Sequence, residues 1–230
     1  AACPEDVYPI LASKLTEAMS YPLSTEVKTA VEQLDRIKPR INVVVLGPGL
    51  NRDEKNLEIL RHIMSNFDCP VIIDADGINL LSLDKSLLGK RDNIILTPHY
   101  GEMSRLVGIE IDKIYEDKLE IAKSFAASRN VILVLKAADT LIASPQGDVF
   151  INSTGNPGLA KAGSGDVLSG ILGGVTAQYA KQNRSLLDAA KFSVFVHGQA
   201  ADLAAQSITE RSLLASDVIE HISGVFNIDE

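Results

Sequence analysis

Between Gly155 and Asp166 the chain reads Gly-Asn-Pro-Gly-Leu-Ala-Lys-Ala-Gly-Ser-Gly-Asp and runs straight into an apolar stretch at residues 167–175. Small residues leading into an apolar run predict a turn that opens directly onto a helix. The first amides of a helix have no acceptor within it, and the helix dipole adds partial positive charge at the same end. Glycines let a phosphate approach such amides closely. Gly163, Ser164 and Gly165 therefore form a candidate anion hole, and Asp166 beside it is a candidate base for an attacking hydroxyl. The competing reading makes Asp166 a decoration of the first helical turn. A cap needs only a carboxylate, whereas this stretch adds three glycines near one, which favours the phosphate-handling reading. Phosphoryl transfer depends mainly on positioning and charge stabilisation, so a weak base suffices.

Other residue types able to do chemistry follow short β-branched runs. Gly47-Pro48-Gly49-Leu50 follows residues 43–46, Asp74 and Asp76 end residues 71–76, and Lys136 ends residues 131–136. Thr97-Pro98-His99-Tyr100-Gly101-Glu102 closes residues 93–98 and continues beyond them. Two carboxylates two residues apart on a strand face one side, where they bind magnesium or organise a polar site; capping the next helix is the equal alternative. His99 alone reads as an ordinary hydrogen-bonded residue at a strand end, and Lys136 alone as a solvated lysine.

The elements that must position these residues are legible as strands at 43–47, 71–76, 93–98 and 131–136, alternating with helical segments at 56–66, 101–107 and 114–128. Near-continuous apolar strands suit a parallel sheet with helices on both faces. Residues 140–144 and 148–152 flank Pro145-Gln146-Gly147 and predict a hairpin at a small antiparallel edge. Further helices are expected at 166–178, 185–206 and 215–223. The opening Ala1-Ala2-Cys3-Pro4 shows no leading strand. One α/β domain over residues 1–230 is the expected organisation.

A chain of 230 residues with 46% hydrophobic content supports a substantial core. The net charge of -8 argues against nucleic-acid binding, which needs clustered Lys and Arg. No run approaches the roughly 20 apolar residues needed to cross a bilayer. Cys3 and Cys69 lie in no metal-binding spacing, so a reducing, cytoplasmic setting is the default.

Gly163-Ser164-Gly165-Asp166 resembles the GxGD motif of the ribokinase-like superfamily, in which the Asp is the catalytic base. With Gly47-Pro48-Gly49-Leu50, Asp74-Ala75-Asp76, Thr97 through Glu102 and Lys136 through Thr140, the order and spacing resemble the NAD(P)H-hydrate dehydratase family from about residue 43 to 224. His99, where Asn is common in the superfamily, is similar to the dehydratase branch. The resemblance implies a ribokinase-like fold and an activity that returns the S-epimer of hydrated NADH or NADPH to the reduced dinucleotide, with ADP or ATP and Mg2+. It implies substrate contacts from Gly49, His99, Asn156 and Asp166. Nucleotide contacts fall to Lys136, Ala137, Ala138, Asp139 and Thr140 together with Gly163, Ser164 and Gly165, and Glu102 acts on magnesium through water. It further implies a homotetramer and functional coupling to an NAD(P)H-hydrate epimerase, and it sets the expectation that this sequence lacks the family's N-terminal segment, cut off, lost or supplied separately.

The sequence departs from the family pattern at Ala137, usually glycine, and at Asn51, where glycine usually continues the first turn; Asn tolerates left-handed angles. The nearest rival is a small-molecule kinase of the same superfamily, such as a hydroxyethylthiazole kinase, and a rival of another class is a silent nucleotide-binding module. A Rossmann dehydrogenase is disfavoured because no GxGxxG follows the first visible strand.

Overall fold

The computed structural model describes residues 1–226. Their contacts divide them into two units, Ala1–Ile41 with Asp53–Asp68, and Asn42–Arg52 with the chain from Cys69 onward.

In the first unit β1 (Ala2–Pro4) and β2 (Tyr21–Leu23) pair in parallel, with α1 (Tyr8–Lys14) between them in sequence. The opening residues thus form a strand that the sequence does not announce, because three residues are too few to establish a period. Helices α2 (Val27–Ile37) and α3 (Glu54–Asn66) bury Ala30 and Leu34, and Leu57, Leu60 and Ile63. Asp53 caps α3, its side chain accepting from Asn56 N at 2.9 Å.

The second unit carries the six-stranded sheet. Strands β3 (Val44–Leu46), β4 (Val71–Ile73), β5 (Ile94–Leu96) and β6 (Ile132–Leu135) lie side by side in parallel. β7 (Leu141–Ala143) and β8 (Val149–Ile151) then add as the expected antiparallel hairpin. β4, β5 and β6 are buried throughout, which is why they read as unbroken apolar runs. The helices of this unit are α4 (Asp76–Leu83), α5 (Tyr100–Val107), α6 (Ile111–Glu116), α7 (Lys118–Arg129), α8 (Ser164–Lys181), α9 (Leu186–Ile208) and α10 (Ala215–Phe226). Leu168 and Leu172 of α8 with Ala190 and Val194 of α9 pack on Ile72, Ile95, Ile132, Val134 and Ile142. Each large apolar side chain so buried contributes about 1.5–3 kcal/mol of transfer free energy.

The single helix expected over residues 114–128 is two. Asp117, at φ −116 and ψ 29, ends α6 and opens α7, a one-residue break that leaves the apolar spacing almost intact. Among the described residues no helix is long and apolar enough to cross a membrane.

Candidate active site

The four parallel strands stop together, so the residues following them share one edge of the sheet, the edge at which open α/β sheets gather ligands. Backbone bonds hold them in line: Asp74 N to Leu46 O at 3.0 Å, Thr97 N to Ile73 O at 3.2 Å and Lys136 N to Pro98 O at 2.8 Å.

Helix α8 begins at Ser164, two residues earlier than expected, with Gly163 as its N-cap at φ +90, a left-handed geometry natural to glycine. No side chain caps this helix, and Val167 N is bonded to Gly163 O at 3.1 Å. The amides of Ser164, Gly165 and Asp166 therefore precede the first intrahelical donor and suit an anion. Asp166 is exposed and its carboxylate has no hydrogen-bond partner among the described residues; it does not cap α8 through its side chain, but it is the acidic residue of the first turn, where the competing reading also places it. It stands at the head of an apolar groove of about 540 Å³ lined by Val167, Gly170, Ile171, Gly174, Ile219 and Ile222.

Lys136 reaches the same turn. A Cβ built on Gly165 would lie 3.5 Å from Lys136 Nζ and 3.8 Å from Asp74 Oδ2. Lys136 Nζ is 2.6 Å from Asp74 Oδ1, while Ser169 Oγ, on α8, donates to Asp74 Oδ2 at 2.7 Å. In the rest of the expected nucleotide segment, Thr140 Oγ1 donates to Ala137 O at 2.9 Å and closes the loop over Ala138, and Asp139 lies 3.4 Å from Lys118.

Asp74 and Asp76 are not neighbours on one strand face, contrary to expectation. β4 ends at Ile73, Ala75 takes φ +48, and Asp76 is the first residue of α4. The turn sends Asp74 into the core toward Lys136, and Asp76 toward Arg52 Nε at 2.6 Å and Asn51 N at 3.2 Å. Arg52 chiefly holds the Asp76 carboxyl below its usual pKa, against the opposing effect of burial. Asn51 is indeed left-handed, at φ 71, so the turn accommodates it where the family has glycine, and Gly49 sits in the same loop at φ +65.

His99 turns out to be the N-cap of α5. Its Nδ1 accepts from Gly101 N at 2.9 Å and Glu102 N at 3.3 Å, while His99 N donates to Glu102 Oε2 at 2.9 Å, a reciprocal capping box. An accepting Nδ1 leaves the neutral ring's proton on Nε2. Burial lowers the His99 pKa, Lys136 and Arg105 adding to the effect and Glu102 and Asp74 opposing it. The side chain remains 54% exposed, and its Nε2 lies 3.4 Å from Glu102 Oε1. Glu102, expected on magnesium, is buried, and His99 N occupies one of its oxygens.

Asn156 is a brace. Its Nδ2 donates to Asp202 Oδ1 at 2.9 Å, its Oδ1 accepts from Gly158 N at 3.0 Å, and Gly155 N donates to Asp202 Oδ2 at 2.8 Å. Sequence reasoning missed Asp202, Ser169 and His197. His197-Gly198 carried a signal: glycine inside a helix costs about 1 kcal/mol and marks a close approach. A Cβ on Gly198 would meet Thr154 Oγ1 at 2.3 Å.

His197 Nε2 and Ser164 Oγ are buried without hydrogen-bond partners. Burial drives the His197 pKa down to about 4, the Ser164 backbone opposing and Lys136 assisting. A depressed base costs stability only where the unfolded chain is protonated and the native ring is not. Native stability is therefore complete above the ordinary imidazole value and falls as pH drops from about 6.5 toward 4, by about 3 kcal/mol in all. His197→Gln should flatten that part of a chemical-denaturation profile; an unchanged slope would place the acid sensitivity elsewhere.

The mostly parallel sheet, its antiparallel hairpin and the uncapped glycine turn opening a long helix define a ribokinase-like α/β protein. The chain belongs to the NAD(P)H-hydrate dehydratase family, whose Carb_kinase profile matches residues 1–223. It is 40% identical over 237 residues to the bifunctional NAD(P)H-hydrate repair enzyme Nnr of Moorella thermoacetica, covering 100% of this chain and 44% of that protein. The chain thus spans less than half of that curated relative. It is 34% identical over 222 residues to the ADP-dependent (S)-NAD(P)H-hydrate dehydratase of Bacillus subtilis, covering 95% of this chain and 75% of that one. The crystal structure of a Bacillus subtilis ADP/ATP-dependent NAD(P)H-hydrate dehydratase, co-crystallised with ATP/Mg2+ and soaked with CoA, superposes with a TM-score of 0.80 at 29% identity, covering 99% of this chain and 79% of that one.

Proposed function

We propose that this chain dehydrates the S-epimer of hydrated NADH or NADPH at the expense of ADP. The observation that carries the reading is the start of α8, where three amides precede the first intrahelical donor, an unpartnered carboxylate stands beside them and Lys136 lies against Gly165. Amides and ammonium stabilise charge on a migrating phosphoryl group.

Asp166 takes the proton of the ring hydroxyl as its oxygen bonds to the terminal phosphorus and AMP leaves. The ring nitrogen's electron pair then expels phosphate by breaking the carbon–oxygen bond. Loss of a proton from the adjacent ring carbon restores the double bond and the reduced nicotinamide. The exposed face of His99 and the Gly49 turn are assigned to the substrate, and Lys136 through Thr140 to the nucleotide. Asn156 serves the substrate side through the shape of its loop.

Magnesium fits this site as an ion carried by phosphates. Among the described residues no group of three or more His, Cys, Asp or Glu is arranged to hold a metal, and magnesium characteristically keeps waters and substrate oxygens as ligands. When bound it would neutralise phosphate charge, with Glu102 acting through water. On this reading the chain is a cytoplasmic homotetramer that works with an NAD(P)H-hydrate epimerase; a partner activity in the same repair is in keeping with relatives named bifunctional NAD(P)H-hydrate repair enzymes.

The test is to incubate the chain with hydrated NADPH, magnesium and ADP. Recovery of the S-epimer's nicotinamide absorbance with one AMP and one phosphate per turnover is expected. A stable phosphorylated product would instead favour a kinase of the same fold, and tight ADP binding without turnover a silent binding module.

A further inference from the structure

Asp74 is the least exposed ionisable side chain near the turn, at 1%. A carboxylate so placed costs several kcal/mol unless paired and hydrogen-bonded. Both its oxygens are paired: Oδ1 with Lys136 Nζ at 2.6 Å and Oδ2 with Ser169 Oγ at 2.7 Å. The three residues come from the ends of β4 and β6 and from the second turn of α8. Glu102 Oε2 stands farther from the ammonium, at 3.9 Å.

The arrangement matters because of what Lys136 would do without it. An ammonium on a four-carbon stem is a mobile point charge. Here Lys136 is 21% exposed, and its Nζ is held at ordinary contact distance from the place a Gly165 side chain would occupy. Preorganised charge is worth more than charge that must be gathered when the reaction occurs. From this we infer that Asp74 is a positioning residue of the phosphoryl-transfer site: it acts through Lys136, fixing that ammonium against the anion-binding turn, and Ser169 orients the carboxylate for the task. The inference rests on the function proposed above and adds to it a residue that touches neither substrate nor nucleotide.

A double-mutant cycle tests it, because a residue that works only through a partner has no effect once the partner is gone. In the parent protein, Asp74→Asn should slow turnover at least about tenfold and weaken ADP binding at least about threefold. In a Lys136→Met background the same substitution should change neither by more than about twofold. Ser169→Ala, a milder change that leaves every charge in place, should show the same pattern with a loss of about two- to fivefold in the parent. Equal losses from Asp74→Asn in both backgrounds would overturn the inference, since they would mean that Asp74 supports the fold independently of Lys136. Should the parent bind ADP yet fail to dehydrate the hydrate, the proposed activity falls, and the cycle read by calorimetry on ADP affinity still decides the role of Asp74. Absence of ADP binding by the parent would overturn both.

Discussion

Asp166→Asn is expected to bind ADP within a few-fold of the parent protein while turning over roughly 10²–10⁴ times more slowly. The carboxylate is exposed, takes no hydrogen bond from the described residues and caps nothing, so its removal should leave the fold and the turn's amides as they are. What the amide cannot do is accept the hydroxyl proton as the oxygen–phosphorus bond forms. A loss confined to turnover is the mark of a group acting in the transition state; an equal loss of ADP affinity would make Asp166 a nucleotide contact instead. Calorimetry of ADP binding alongside steady-state assays separates the two.

The second large effect concerns stability. Gly47 sits at φ +131, and a Cβ there would fall 1.7 Å from the carbonyl oxygen of Asp74 and 2.8 Å from Gly77 N. Those are backbone atoms, one just past the end of β4 and one in the first turn of α4, and cannot step aside as a flexible side chain would. Gly47→Ala is therefore expected to destabilise by more than about 4 kcal/mol, lowering Tm by roughly 10 °C or more or preventing accumulation of folded protein. Gly49, two residues on, is the control. Its φ is +65 and nothing lies within 4 Å of a built Cβ, so Gly49→Ala should cost only about 1–2 kcal/mol. Similar melting temperatures for the two variants would contradict this account of the turn.

The parts of the fold that were legible in the sequence are those whose side chains face apolar surroundings on both sides. Ile72, Ile95 and Ile132 lie in strands buried throughout, and such strands leave unbroken β-branched runs. The hairpin around Pro145-Gln146-Gly147 was legible through its turn residues, and the turn that opens α8 through its glycines. Pairings between distant segments were not. Asp74 and Ser169 are 95 residues apart, and neither carries a local mark of the other. The break at Asp117 escaped because one residue out of register hardly disturbs a helical period. The turn at Ala75 escaped for a different reason: its positive φ belongs to a residue type that rarely adopts it, so the two aspartates looked like neighbours on one face. At His99 the resemblance implied a substrate contact, while the residue's local role as a helix cap went unread. His-x-x-Glu at a helix start is a capping box with an imidazole in place of the usual hydroxyl.

The claim beneath all of this is that the amides at the start of α8 receive a phosphate. Adding ADP and magnesium to nitrogen-15-labelled protein and following each amide resonance tests it most directly. The largest shifts are expected at Ser164, Gly165 and Asp166, with Lys136 through Thr140 following. Saturable ADP binding that leaves those three amides unmoved would contradict the account.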